Sequence, residues 1–248
     1  MVRQISCEMK GRRFFFLGAF LFSLAFLFAQ DVSQERLVRI PLWAQRDVYP
    51  GYFDETVSDG EKANNVARAG EGEYAVPVRK IREIAPFMLE GMVYGWNFSY
   101  TPYDKARGVE EIFEFEPVQS FSDGQIKRIH YANPWTDDVN LYAWIEFQRD
   151  ENQLALYKSW LSIVNPRIKG VGYAKLSEGF DGIKQAAGVA LREAVRNYER
   201  TKIKTKPKEI SGTVLMSKEP QIGINAGRYK VTLEFFMEID RIVEYKTF

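Results

Sequence analysis

The sequence predicts an α+β fold: a largely antiparallel sheet, arranged as a meander, packed against two or three helices. Three observations carry this class. Tyr229, Val231, Leu233, Phe235, Met237 and Ile239 alternate with Lys230, Thr232, Glu234 and Glu238, the period-two pattern of a strand with one covered face. Over Asp181–Arg200, Ile183, Ala187, Ala190, Ala194 and Tyr198, flanked by Leu191 and Val195, form one helical stripe, with Lys184, Arg192, Glu193, Arg196, Asn197 and Arg200 on the other side. Elements also come in blocks of a helix, four strands, two helices and two strands, unlike the strict alternation of a doubly wound nucleotide fold.

Taken from the N-terminus, residues 1–29 read as a cleavable secretory signal peptide. Arg3, Lys10, Arg12 and Arg13 precede an uncharged run from Phe14 to Ala29, and the composition turns polar at Gln30-Asp31. The run falls short of the roughly 20 apolar residues a spanning helix needs, so no stable transmembrane segment is expected after cleavage. Ala29 is the expected cleavage position and Ala25 the competing one, and Met9 competes with Met1 as the start. Arg12-Arg13 fits the twin-arginine route, but no cofactor motif calls for folding before export, which favours the general route. The phenylalanine-rich leader ending in Phe28-Ala29-Gln30-Asp31 resembles those of some spirochaete periplasmic proteins. The resemblance covers the leader alone and implies a periplasmic or otherwise exported location.

Residues 30–248 are expected to form a single α+β domain. Leu37–Trp43 reads as an edge strand, because Pro41 is poorly tolerated in a central one. Residues 54–73, rich in Gly, Asp, Glu and Asn, read as a long mobile loop. Val76–Glu90 is a helix with Pro77 in its first turn and Ile81, Ile84 and Met88 on one face; Pro86 is expected to kink or shorten it. Four strands follow: Met92–Tyr100, Val109–Glu116, and a hairpin of Gln125–Ala132 with Val139–Gln148 joined by residues 133–138. Short connections make these a meander. Asp150–Val164 is a helix with Leu154, Tyr157, Leu161 and Val164 on one side, stopped by Asn165-Pro166. Asp181 is the expected N-cap of the next helix, and strands at Glu209–Ser217 and from Arg228 to about Ile239 complete the order.

Composition excludes several function classes. The whole chain holds 34 basic and 33 acidic residues; without Arg3, Glu8, Lys10, Arg12 and Arg13 of the leader the balance is 30 to 32, a formal charge of −2. That balance gives no general attraction to nucleic acid or to an anionic membrane. Cys7 is the only cysteine and precedes the apolar run, so the exported part has no thiol chemistry, disulfide or cysteine metal site. His130 is the only histidine and has no partner for a relay or a metal cluster.

Three patterns remain as candidate sites. Tyr94, Trp96, Phe98 and Tyr100 alternate along one expected strand, with Tyr142 and Trp144 on another and Trp135 on its turn. Exposed, Tyr94, Trp96, Tyr100, Trp135 and Trp144 would stack on sugar rings or on a partner's apolar surface; buried, they are the core side of the sheet. Glu114 and Glu116 share a strand face as a glycoside-cleaving pair would, and equally as a solvated acidic face does. Lys202, Lys204, Lys206 and Lys208 after Arg200 suit an anionic partner, or are a solvated connector at a helix C-terminus. Asp137, Asp138 and Asn140 read as turn chemistry in preference to a calcium loop.

These readings describe an exported bacterial envelope protein, a non-enzymatic binding or assembly component whose partner is another envelope protein or a further copy of itself. The alternative is a carbohydrate-binding or carboxylate-dependent glycan-acting protein. No cofactor, metal or nucleic acid is expected, and the balance leans away from an enzyme. A cleft shared by Trp96 and Glu114 would favour the alternative.

Overall fold

A computed structural model describes residues 35–46, 74–161 and 164–245. The segments expected as a leader, 1–29, and as a mobile loop, 54–73, lie outside these residues. The architecture lies within one compact unit, Val38–Phe248. The fold is α+β, with nine strands in antiparallel sheets and four helices among the described residues, one sheet curling into a half-barrel.

The larger sheet has the order β3-β2-β7-β9-β6, with β8 also paired to β9. Its strands are β2 (Trp96–Thr101), β3 (Ile112–Pro117), β6 (Arg167–Lys175), β7 (Glu209–Met216), β8 (Gln221–Asn225) and β9 (Arg228–Val243). The smaller sheet has the order β1-β5-β4, from β1 (Leu37–Gln45), β4 (His130–Thr136) and β5 (Asn140–Gln148). The four strands expected as one meander therefore divide. β2–β3 is a hairpin of the large sheet and β4–β5 a hairpin of the small one.

The separation has a local cause. Residues expected to begin a strand at Gln125 instead form a one-turn helix, α2 (Asp123–Ile126), because Ser122 and Gln125 close a capping box. The turn redirects the chain and seats Phe121 against Phe147, ring centroids 4.8 Å apart, while the Phe121 N–H donates to the buried Glu90 carboxylate at 2.7 Å. β4 then starts at His130 and runs to Thr136, through residues expected as a turn.

Helix α1 (Ala75–Val93) places Ile81, Ile84, Ala85, Met88, Leu89 and Val93 in the core. It touches β5 of the small sheet and β7 of the large one, so it is buried on more than one side. It continues through Pro86 and three residues past the expected end at Glu90. Gly95 stops it: φ is +86°, its N–H reaches Glu90 O at 2.9 Å, and a Cβ there would lie 2.2 Å from Val214 O.

Helix α4 (Gly179–Lys202) lies on β6 and β9. Ile183, Ala187, Ala190, Leu191 and Ala194 are fully buried, as are Val231, Leu233 and Phe235, while Tyr198 is half-buried. Asp181 sits in the first turn instead of capping it. A Cβ on Gly170 or Gly172 of β6 would meet Ala190 O at 1.9 Å or Ala186 O at 1.8 Å, so strand and helix backbones touch directly. Helix α3 (Glu151–Trp160) is shorter than expected and uses Trp160 and Tyr157 to cover Leu215 and Phe236, which face away from the main core. Leu161 and Val164, expected on its apolar side, are exposed.

Candidate functional site

The five aromatic candidates separate into two environments. Trp96 and Tyr100 of β2 are buried. Trp96 packs against Phe87 at 4.9 Å, Phe115 at 5.3 Å and Phe235 at 6.0 Å between centroids. Tyr94 caps α1, half-buried, its hydroxyl accepting from the amides of Gln153 at 2.7 Å and Gln125 at 2.5 Å. These three rings are structural. Trp135 and Trp144 face outward on the small sheet.

Their face is built by alternation. Leu141, Ala143, Ile145 and Phe147 of β5 are buried, which turns Asn140, Tyr142, Trp144 and Glu146 outward. On β1, Val38, Ile40, Leu42 and Ala44 are buried and Arg39 faces out. β4 needs one more device. Between Ala132↔Trp144 and Trp135↔Tyr142 the register shifts at Asn133 and Pro134, and Asn133 has φ +45°. Without that extra residue Trp135 would oppose Leu141 and point inward; the bulge moves it to the outer face.

The result is a ridge. Trp135 stacks on Tyr142 with centroids 5.2 Å apart and planes 8° from parallel, and lies 5.9 Å from Trp144 at 39°. The Arg39 guanidinium sits 4.2 Å over Trp144, with Nε 3.1 Å from Glu146 Oε1. Glu146 also contacts His130 at 3.3 Å; that side chain is 72% exposed. Asp137 fixes the far end. Its carboxylate accepts from the Val139 N–H at 2.8 Å, the Asn140 N–H at 2.6 Å and the Tyr142 hydroxyl at 2.8 Å. The Asn140 backbone N–H, then the Tyr142 hydroxyl, hold the Asp137 carboxyl down at about 2. Its oxygens serve the turn, and no group of metal-ligating side chains occurs among the described residues.

Trp135 is 40% exposed. Its stacking partner Tyr142 belonged to the aromatic pattern read from the sequence, while Arg39 and Glu146 did not. The signal for them was present in the strict alternation of β1 and β5.

Glu114 and Glu116 occupy the solvent face of edge strand β3, opposite Ser99 and Asn97. Trp96 occupies the other face of the sheet, so the two form no common cleft. The acid that β2 does engage is Glu111. It accepts the Tyr100 hydroxyl at 2.9 Å and Arg196 Nε at 2.8 Å, with a second Arg196 nitrogen on its other oxygen. Burial alone would raise the Glu111 carboxyl, but Arg196 and Tyr100 outweigh it and the net shift is downward. Burial, reinforced by Glu111, pushes the Tyr100 phenol up to about 12.

An uncharacterized protein of Treponema pallidum (strain Nichols) is 26% identical over 213 residues, covering 85% of this chain and 83% of its own. No solved structure matches the chain. A protein-family model matches residues 26–245, and the chain belongs to that uncharacterised family.

Proposed function

We propose that this chain is a non-enzymatic binding component of a bacterial envelope, exported by its leader, that docks another protein on the ridge Trp135–Tyr142–Trp144–Arg39. The ridge itself carries the reading. Trp, Tyr and Arg are the side chains that dominate binding hot spots. Here they are held in place by the bulge, by Asp137 and by Glu146, so little side-chain freedom is lost on docking. The ring faces meet one another and the guanidinium, which favours a shaped protein surface over flat stacking on a sugar ring. Export is supported by the basic, apolar and polar order of residues 1–31. No described helix is long and apolar enough to cross a membrane.

The test places a photo-crosslinking residue at position 135, and separately at 114, in the full chain in its host. A discrete adduct from 135 and none from 114 is expected, lost when Trp144→Ala is added. An adduct of twice the chain mass would identify the partner as a second copy. Binding to purified cell-wall glycan that Trp135→Ala abolishes, with no protein adduct, would overturn the proposal.

A further inference from the structure

We infer that one end of the large sheet is a docking surface for an anionic phospholipid bilayer. Three chain segments meet there. The connector from α4 to β7 is pinned by buried Pro207 and half-buried Ile203, which leaves Lys202, Lys204, Lys206 and Lys208 exposed around them. Lys206 Nζ donates to Tyr103 O at 2.8 Å, joining the β2–β3 loop to the connector and adding exposed Lys105 and Arg107. The Lys208 N–H donates to Val243 O at 2.7 Å, and the Arg107 guanidinium lies 4.1 Å over the Tyr245 ring, which adds the segment after β9.

The charge at this end is unbalanced. Asp104 is engaged by Arg107, and Glu209 by Arg241 at 3.2 Å. Glu110, Asp240 and Glu244 are the exposed acids that remain among the described residues there, against Lys105, Lys202, Lys204, Lys206 and Lys208. The chain outside the leader is slightly acidic, so this is a local concentration of cations and not a reflection of overall charge.

The chemistry fits lipid headgroups better than a fixed polyanion. Four of the cations are lysines at the end of α4 and along the connector that follows, compact charges on flexible stems that do not present the rigid fork of arginine. Lys105 and Arg107 come from the β2–β3 loop, so the cations span two segments and spread over an end of the sheet. Headgroups move laterally and can match such an arrangement, whereas a folded acidic partner or a sulfated glycan offers charges at set positions. Tyr103, 50% exposed among them, supplies the amphipathic ring that favours the headgroup layer. This end carries none of the ridge residues, so the inference does not rest on the ridge being a binding site.

The test is co-sedimentation of the full chain with vesicles of phosphatidylglycerol and phosphatidylcholine, and of phosphatidylcholine alone. The wild type is compared with a chain carrying Lys202→Gln, Lys204→Gln, Lys206→Gln and Lys208→Gln. The leader is common to every arm, so the wild-type to variant ratio isolates the connector. All four positions are exposed, and thermal melting checks that the variant folds. Partitioning onto the anionic vesicles should fall at least about tenfold in the variant at low salt. The difference should vanish near 0.5 M salt, where screening is nearly complete. Equal partitioning of wild type and variant onto anionic vesicles would overturn the inference. So would tighter wild-type binding to soluble heparin than to the vesicles, which would point to a polyanionic glycan.

Discussion

At the scale of single residues, the sharpest expectations concern Tyr100, Glu111 and Arg196. The Glu111 carboxyl is held below its ordinary value in the folded chain. Its stabilisation is therefore present above the unfolded carboxylate pKa and is lost as pH falls through the lowered folded value. Glu111→Gln should cost about 1 kcal/mol near neutral pH, the modest size expected of a partly exposed pair. In urea titrations across the acid range, the gap from wild type should close as pH falls below about 4. A gap that stays constant into acid would show that the carboxylate charge contributes nothing. Tyr100 has the opposite sign. Its phenol rises to about 12, so its stabilisation is complete below the unfolded phenol's pKa and is lost as pH climbs through about 12. The difference between wild type and Tyr100→Phe should therefore shrink through that alkaline window. None of this was legible from the sequence, because Glu111 and Arg196 are 85 positions apart and meet only once α4 has docked on the sheet.

At the scale of elements, the contact of α4 with β6 decides the most. Gly172→Ala would force a Cβ to 1.8 Å from Ala186 O and 2.5 Å from Ala190 N, both backbone atoms that cannot swing aside. It should cost about 3 kcal/mol, at the upper end of ordinary overpacking. Gly223→Ala in β8 meets no atom within 4 Å and should be neutral or slightly stabilising, which makes it the matched control for chemical denaturation. Leu191→Asp would bury a carboxylate without a partner and should cost several kcal/mol. Wild-type melting of that variant would contradict the packing of α4. The same contact explains what the sequence could and could not reveal. α4 and β9 announced themselves because each has a polar face and an apolar face. β6 went unread because its inward positions include Gly170 and Gly172, which carry no apolar signal and are weak strand formers. β4 was misplaced because a capping box and a bulge, both local departures from period two, interrupt the segment from Ser122 to Thr136. The aromatic faces were ambiguous for a related reason. Alternation tells which residues share a side, but Trp96 sits where its side is buried and Trp144 where its side is open.

At the scale of the whole molecule, the leader makes the most accessible forecast. Protein recovered from its host should begin at Gln30, or failing that at Phe26, by N-terminal sequencing; a chain that retains Met1 or Met9 would refute processing. The larger sheet bears on how such a chain is made. β6 and β7 share no pairing of their own, and β8 pairs with β9 alone. β6 and β8 wait for β9, and β7, which pairs with β2 on one side, gains its other neighbour only when β9 arrives, down to Val243 against Glu209. A ribosome delivers that strand after every other described element has been made. Until then the nascent chain holds β6 and β7 without the ladder that joins them, and the barrel half has no seam to curl around. The order of synthesis thus delays closure of the sheet until β9 has left the ribosome.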